Sequence, residues 1–135
     1  MKEMTTAAVS ESIPAVTDFV DRELERADCP LRVKIQIDIV IDELFSNIVH
    51  YAYGKEGGQV RVQIEMENDP RAVRITFQDE GMPFNPLERE DPDVTGSARE
   101  RKIGGLGIFM VKKSMDAVLY EYRDGKNCLT VRKKL

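Results

Sequence analysis

Apolar positions recur at helical spacing from residue 13 onward. Ile13, Val16, Phe19, Val20 and Leu24 fall on one face of a 3.6-residue period, which predicts an amphipathic helix. Ser12 fits its N-cap, Pro14 is tolerated in its first turn, and Asp28-Cys29-Pro30 ends it. Ahead of it, Glu3–Ala8 reads as a short edge strand. The next run, Leu31–Tyr53, carries two periods at once. Val33, Ile35, Ile37, Ile39 and Ile41 alternate as in a strand, while Ile37, Ile41, Leu44, Ile48 and Ala52 continue a helical stripe. No turn signal interrupts the run before Gly54, which sits as a C-cap, so the pattern predicts one long helix.

Beyond the Gly57-Gly58 break the period changes to two. Val60, Val62, Ile64 and Met66 point one way in a strand over Gln59–Met66, and Val73, Ile75 and Phe77 do the same over Ala72–Gln78. Asn68-Asp69-Pro70 supplies the turn of that hairpin. From Glu80 to Ile103 no period persists, and a loop of that length in a compact domain is either functional or mobile. Leu106–Met115 reads as a short helix after glycines, with Met110 and Met115 as core filler. Ala117–Tyr122 and Cys128–Lys133 read as a last hairpin around the turn Asp124-Gly125-Lys126-Asn127. Strand, two helices, hairpin, long loop, helix, hairpin is the order of an α+β protein. It predicts a two-layer sandwich with a mixed, mostly antiparallel sheet covered on one face by helices.

Composition narrows the function. The chain has 135 residues, the size of one domain, and a net charge of -4. An acidic balance argues against a general nucleic-acid binder. Cys29 and Cys128 follow no metal spacing, and with a single histidine, His50, the composition argues against a Cys/His zinc site; free thiols in a reducing compartment are the better reading. No apolar run reaches the length of a membrane span, and no signal-peptide pattern opens the chain, so the expectation is a cytoplasmic protein.

Three segments carry candidate chemistry. Glu43 and Asn47 lie four apart on one helix face, at the rim of the stripe formed by Leu44 and Ile48. A carboxylate there can take a proton from water or a hydroxyl, and an amide oxygen can ligate a hard cation such as Mg²⁺. The plain alternative is a solvated Glu and an idle Asn, although Asn is a poor helix residue. Asp79-Glu80-Gly81-Met82-Pro83-Phe84 ends a strand. It is either an ordinary Asp-x-Gly turn or an acid that accepts from an adenine amino group, with Gly81 letting backbone approach the base. Gly104-Gly105-Leu106-Gly107 opens a helix, as a hinge or as a cradle whose N–H groups and helix end favour phosphate. It is neither a P-loop nor a dinucleotide fingerprint. Arg99, Arg101 and Lys102 just before it are a solvated charge run or phosphate contacts, and His50 reads as a surface or packing residue.

In this order and spacing the three segments resemble the GHKL ATPase superfamily, and within it the stand-alone anti-sigma-factor serine/threonine kinases of the RsbW and SpoIIAB type. The resemblance covers essentially the whole chain, residues 1–135, as one domain. It implies that Glu43 is the general base, that Asn47 holds the Mg²⁺, and that Asp79 with Gly81 reads adenine. It also implies that the Gly104–Gly107 box contacts the phosphates of ATP and that residues of about 84–103 form a lid. The implied partners are a small anti-sigma-factor antagonist as phosphoacceptor and a sigma factor, with a kinase homodimer and no direct nucleic acid or membrane. Two positions depart from the family pattern. Tyr51 stands where many relatives carry His, and His50 receives no role. Ile103 precedes Gly104 where some relatives place Arg, so Arg101 or Lys102 would supply the cation.

The competing reading is a nucleotide-gated binding module that captures its partner with little or no kinase activity. Glu43 favours the enzyme, since a binder needs no base. A detached sensor-histidine-kinase catalytic domain is a third reading, disfavoured because no preceding helical segment offers a phosphoacceptor His. A protein with no ligand fits least.

Overall fold

Helices and sheet form two layers in the computed structural model, which describes residues 1–88 and 106–135, the side chain of Leu106 apart. In chain order the elements are β1 (Lys2–Ala7), a 3₁₀ turn (Ser10–Ser12), α1 (Ile13–Arg26), α2 (Leu31–Asn47), a π turn (Ile48–Ala52), β2 (Gln59–Glu67) and β3 (Ala72–Asp79). A 3₁₀ turn (Pro86–Glu88), α3 (Leu106–Ser114), β4 (Ala117–Arg123) and β5 (Lys126–Lys134) follow. The sheet order is β1-β2-β3-β5-β4, and every pairing is antiparallel. The mixed sheet expected from the sequence is therefore antiparallel throughout among the described strands. The cause is topological: β3 and β4 run in the same direction across α3, but β5 inserts between them, so no parallel ladder forms.

One face of the sheet carries the core. Val60, Val62, Ile64, Val73, Ile75, Phe77, Leu129 and Val131 meet Val16, Val20 and Leu24 of α1, Ile37, Ile41, Leu44 and Phe45 of α2, and Ile108 and Val111 of α3. Each such side chain contributes about 1.5–3 kcal/mol by leaving water. This layer holds the inner faces of α2 and β3, and the functional candidates sit where both elements end.

Five expectations need correction. The long helix does not stay α-helical to Tyr53: it widens into the π turn after Asn47, and Tyr53 ends it in an extended conformation (φ -112, ψ 150). Gly54 is not a left-handed cap, since among the described glycines only Gly57 and Gly125 have positive φ. The end is held by tertiary bonds. The Ala52 carbonyl accepts from Met82 N at 2.8 Å, and the Tyr53 hydroxyl donates to the Gln59 carbonyl and accepts from Glu80 N, each at 2.7 Å. Ser12 makes no side-chain cap; its Oγ accepts instead from Thr6 Oγ1 at 3.1 Å. Met115, just past α3, is buried, but Met110 is 54% exposed, because α3 turns Ile108 and Val111 inward. Finally, the last hairpin turns tightly on Asp124 and Gly125 (φ 56 and 76), which leaves Asn127 inside β5 and buried.

Candidate functional site

Asn47 closes α2 and is buried, while Glu43 one turn earlier is half-buried. The Asn47 amide Nδ2 donates to the Glu43 backbone carbonyl at 2.8 Å and to Glu43 Oε1 at 2.9 Å. With both amide hydrogens committed to Glu43, Asn47 Oδ1 is turned away as an available oxygen donor. From the other side comes α3. A Cβ on Gly107 would overlap the Glu43 carboxyl group, so glycine lets the first turn of α3 lie against the acid, and any side chain there would make the carboxyl move. The positive end of that helix favours a carboxylate there.

Asp79 ends β3, 4% exposed, at a position where a strand residue of the same parity as Val73, Ile75 and Phe77 faces the core. Its Oδ1 accepts from Gly81 N at 2.9 Å and from Asn127 Nδ2 at 2.9 Å, and neither bond uses Oδ2. Burial pushes the Asp79 carboxyl above the usual carboxylate range, and the Asn127 and Gly81 N–H groups pull it back. Gly81 packs on the end of the π turn, where a Cβ would overlap the Ala52 carbonyl oxygen. The π turn thus joins the two groups of residues: it starts next to Asn47 and ends against Gly81 and Met82. Tyr51 from this turn stacks on Phe84, with ring centroids 5.2 Å apart, and His50 meets Tyr51 edge-on.

The structure therefore brings Glu43, Asn47 and Gly107 together, and Asp79 together with Gly81. Arg99, Arg101, Lys102, Gly104 and Gly105 lie outside the described residues, as does the proposed lid beyond residue 88; Leu106 is placed only as the first residue of α3. Sequence reasoning missed Asn127, Tyr120 and Tyr53. Asn127 had a usable signal: it shares strand parity with Leu129 and Val131, so it is a polar residue at a core-facing position. An open recess of about 400 Å³ lined by Thr5, Tyr53, Gly58, Arg61, Gln78 and Lys126 among others reaches Asp79 but none of Glu43, Asn47 or Gly107, so its lining is not that of the site.

Residues 6–133 match the model of the histidine kinase-like ATPase domain, and the chain belongs to that family. The serine-protein kinase RsbW of Listeria monocytogenes is 32% identical over 94 residues, covering 66% of this chain and 59% of the relative. The chain thus spans about six-tenths of that relative's length. The anti-sigma F factor of Pasteuria penetrans is 30% identical over 120 residues, covering 86% of this chain and 76% of the relative. A chain in the crystal structure of the SiaB-SiaC complex from Pseudomonas aeruginosa superposes with a TM-score of 0.63 at 16% identity, over 100% of this chain and 90% of that one. That last likeness speaks for the fold. Family and fold both bear out the resemblance seen in the motifs.

Proposed function

We propose that residues 1–135 form one ATP-dependent serine/threonine protein kinase and anti-sigma factor, with a lid of about 84–103. It phosphorylates a small anti-sigma-factor antagonist, sequesters a sigma factor, and works as a cytoplasmic homodimer. Membership of the ATPase family and likeness to proteins named serine-protein kinase and anti-sigma F factor support the reading. No helix among the described residues is long and apolar enough to cross a membrane. The observation that carries the enzymatic part is the Glu43 carboxylate closed against Gly107 at the start of α3, with Asn47 fixing it from below.

In this reading Glu43 accepts the proton of the acceptor hydroxyl. The hydroxyl oxygen bonds to the γ-phosphorus, the bond from that phosphorus to the β–γ bridging oxygen breaks, and ADP leaves. Asp79 accepts from the adenine amino group, and Gly81 lets the base lie against backbone. Gly104, Gly105, Leu106 and Gly107 offer backbone N–H groups to the phosphates, and Arg101 or Lys102 adds positive charge. The donor set fits Mg²⁺: Asn47 Oδ1 is a hard oxygen beside a carboxylate, and Mg²⁺ needs few protein ligands when phosphates and water complete its shell. Among the described residues no group of three or more His, Cys, Asp or Glu side chains is placed to cage a metal by itself. Bound at Asn47, Mg²⁺ supplies charge neutralisation at the phosphates.

The test is transfer of label from γ-labelled ATP to a candidate antagonist. Glu43→Gln should lower transfer by about 10²–10⁴-fold while ATP affinity stays within a few-fold, the range expected for loss of a general base. Tight partner capture with no transfer by the unaltered protein would leave a nucleotide-gated binding module in place of the kinase.

A further inference from the structure

Asn127 is a single buried amide with its whole hydrogen-bonding capacity in use. Its Nδ2 donates to Asp79 Oδ1 at 2.9 Å and to the Met82 carbonyl at 2.8 Å. Its Oδ1 accepts from Phe84 N at 3.0 Å and from the Tyr120 hydroxyl. An amide offers two donor hydrogens and two lone pairs, and all four are engaged here. At 4% exposure Asn127 has nothing left to offer a nucleotide, so any effect on one passes through the groups it bonds, Asp79 and the turn at Met82 and Phe84.

The network also settles which way the amide points. Phe84 N and the Tyr120 hydroxyl are donors, so they must face Oδ1; Nδ2 is thereby forced toward Asp79. Asn127 and Gly81 both bond to Asp79 Oδ1, which locks the carboxylate plane and presents Oδ2 as a pure acceptor. A pure acceptor suits a 6-amino purine, whose exocyclic nitrogen donates. It repels a 6-oxo purine, whose oxygen carries lone pairs at the same place.

We infer that Asn127 is a positioning residue for base selection, holding Asp79 as an oriented acceptor so that the site takes a 6-aminopurine nucleotide and rejects a 6-oxopurine one. This rests on Asp79 being the base-reading acid proposed above. Residues Met82 and Phe84 are tied to the same amide, so the turn that follows Asp79 is held in register with the selecting oxygen. Tyr120, on the edge strand β4, is the outer support of the arrangement.

The measurement is calorimetric affinity for ATP and for inosine triphosphate, each with Mg²⁺, in the unaltered protein, in Asn127→Ala and in Tyr120→Phe. The unaltered protein should prefer ATP by about a hundredfold, as expected when a site's buried acceptor is left unpaired by the wrong base. Asn127→Ala should reduce that ratio about tenfold or more, and Tyr120→Phe should fall in between. A loss of affinity by the same factor for both nucleotides would reduce Asn127 to a structural role and overturn the inference. If Asn127→Ala does not fold, Tyr120→Phe decides alone, and an unchanged ratio there overturns it. An unaltered protein with no ATP preference would instead sink the reading of Asp79 itself, which separates the two failures.

Discussion

Asp79 and Asp38 are two aspartates that the fold withdraws from water, and they meet opposite surroundings. Asp79, at the end of β3, is met by N–H donors from Gly81 and Asn127. Asp38, in the middle of α2, is met by another acid: Asp21 of α1 faces it, and no N–H donor reaches the buried Oδ1 of either. Burial raises both carboxyls. At Asp79 the donors oppose the rise, whereas at Asp38 the neighbouring Asp21 adds to it and only the Lys34 charge opposes, leaving Asp38 pushed up to about 7. A buried acid met by donors can stay ionised and act as an acceptor. A buried acid facing an acid holds a proton, because a proton is the one thing that turns two facing acceptors into a donor and an acceptor. Burial alone therefore does not mark a site; the chemistry of the immediate neighbours does.

The strongest way to break this comparison is to remove the donors from Asp79. Asn127→Ala deletes four hydrogen bonds at once and leaves the Met82 carbonyl and the Asp79 carboxylate short of partners. A bond to a charged group contributes about 1.5–3 kcal/mol and each orphaned buried group costs about 1–3 kcal/mol. With water entering the space, the net loss should be about 2–4 kcal/mol in urea unfolding near pH 7. A loss below about 0.5 kcal/mol, the level of an ordinary surface substitution, would mean that donors are not what distinguishes the two acids.

The sequence made Asp79 legible and left Asp38 hidden, for physical reasons. Asp79 sits in a strand, where parity alone says which face a residue takes, and it is followed by a glycine turn. The same parity places Asn127 on the core face with Leu129 and Val131; reading Asn127 as part of the turn concealed it. Glu43 and Asn47 were legible because helical spacing puts them on one face. Their contact with Gly107 was not, since it depends on how α3 docks. The π turn was not legible either: the periodicity of Ile48 and Ala52 suits an α-helix, and the widening goes with a bond from Met82 N to the Ala52 carbonyl, far along the chain. Asp21 and Asp38 read as ordinary polar positions of two amphipathic helices. Only the packing of α1 on α2 turns them toward each other.

Asp38→Asn sharpens the comparison through pH. The folded protein holds the Asp38 proton up to about pH 7, whereas an aspartate in the unfolded chain releases it near its ordinary value of 3.8. The favourable contribution is therefore complete below about pH 4 and is lost as pH rises toward 7. The unaltered protein should lose melting temperature across that window on this account. Asn has no proton to lose and offers Asp21 an N–H donor, so Asp38→Asn should flatten the slope and be the more stable protein near pH 8. Asp21→Asn should flatten it too, by removing the facing charge. Parallel slopes in all three proteins would show that the two acids do not share a proton.

The smallest effect belongs to Lys34. Its Nζ bonds to Glu25 Oε1 at 2.7 Å, and its charge is the one that restrains Asp38. The Glu25 end of the pair is largely in water, where an ion pair adds little to stability because solvent screens it. Lys34→Ala should therefore leave the unfolding midpoint in urea almost unchanged. It should still move the Asp38 titration upward, because the burial and the Asp21 charge that raise it stay while the opposing cation goes. A carboxyl-carbon NMR titration reads that shift directly. An Asp38 midpoint that stays put or falls would mean that Lys34 is engaged wholly by Glu25, and that the charge facing the two acids comes from elsewhere on α1 or α2.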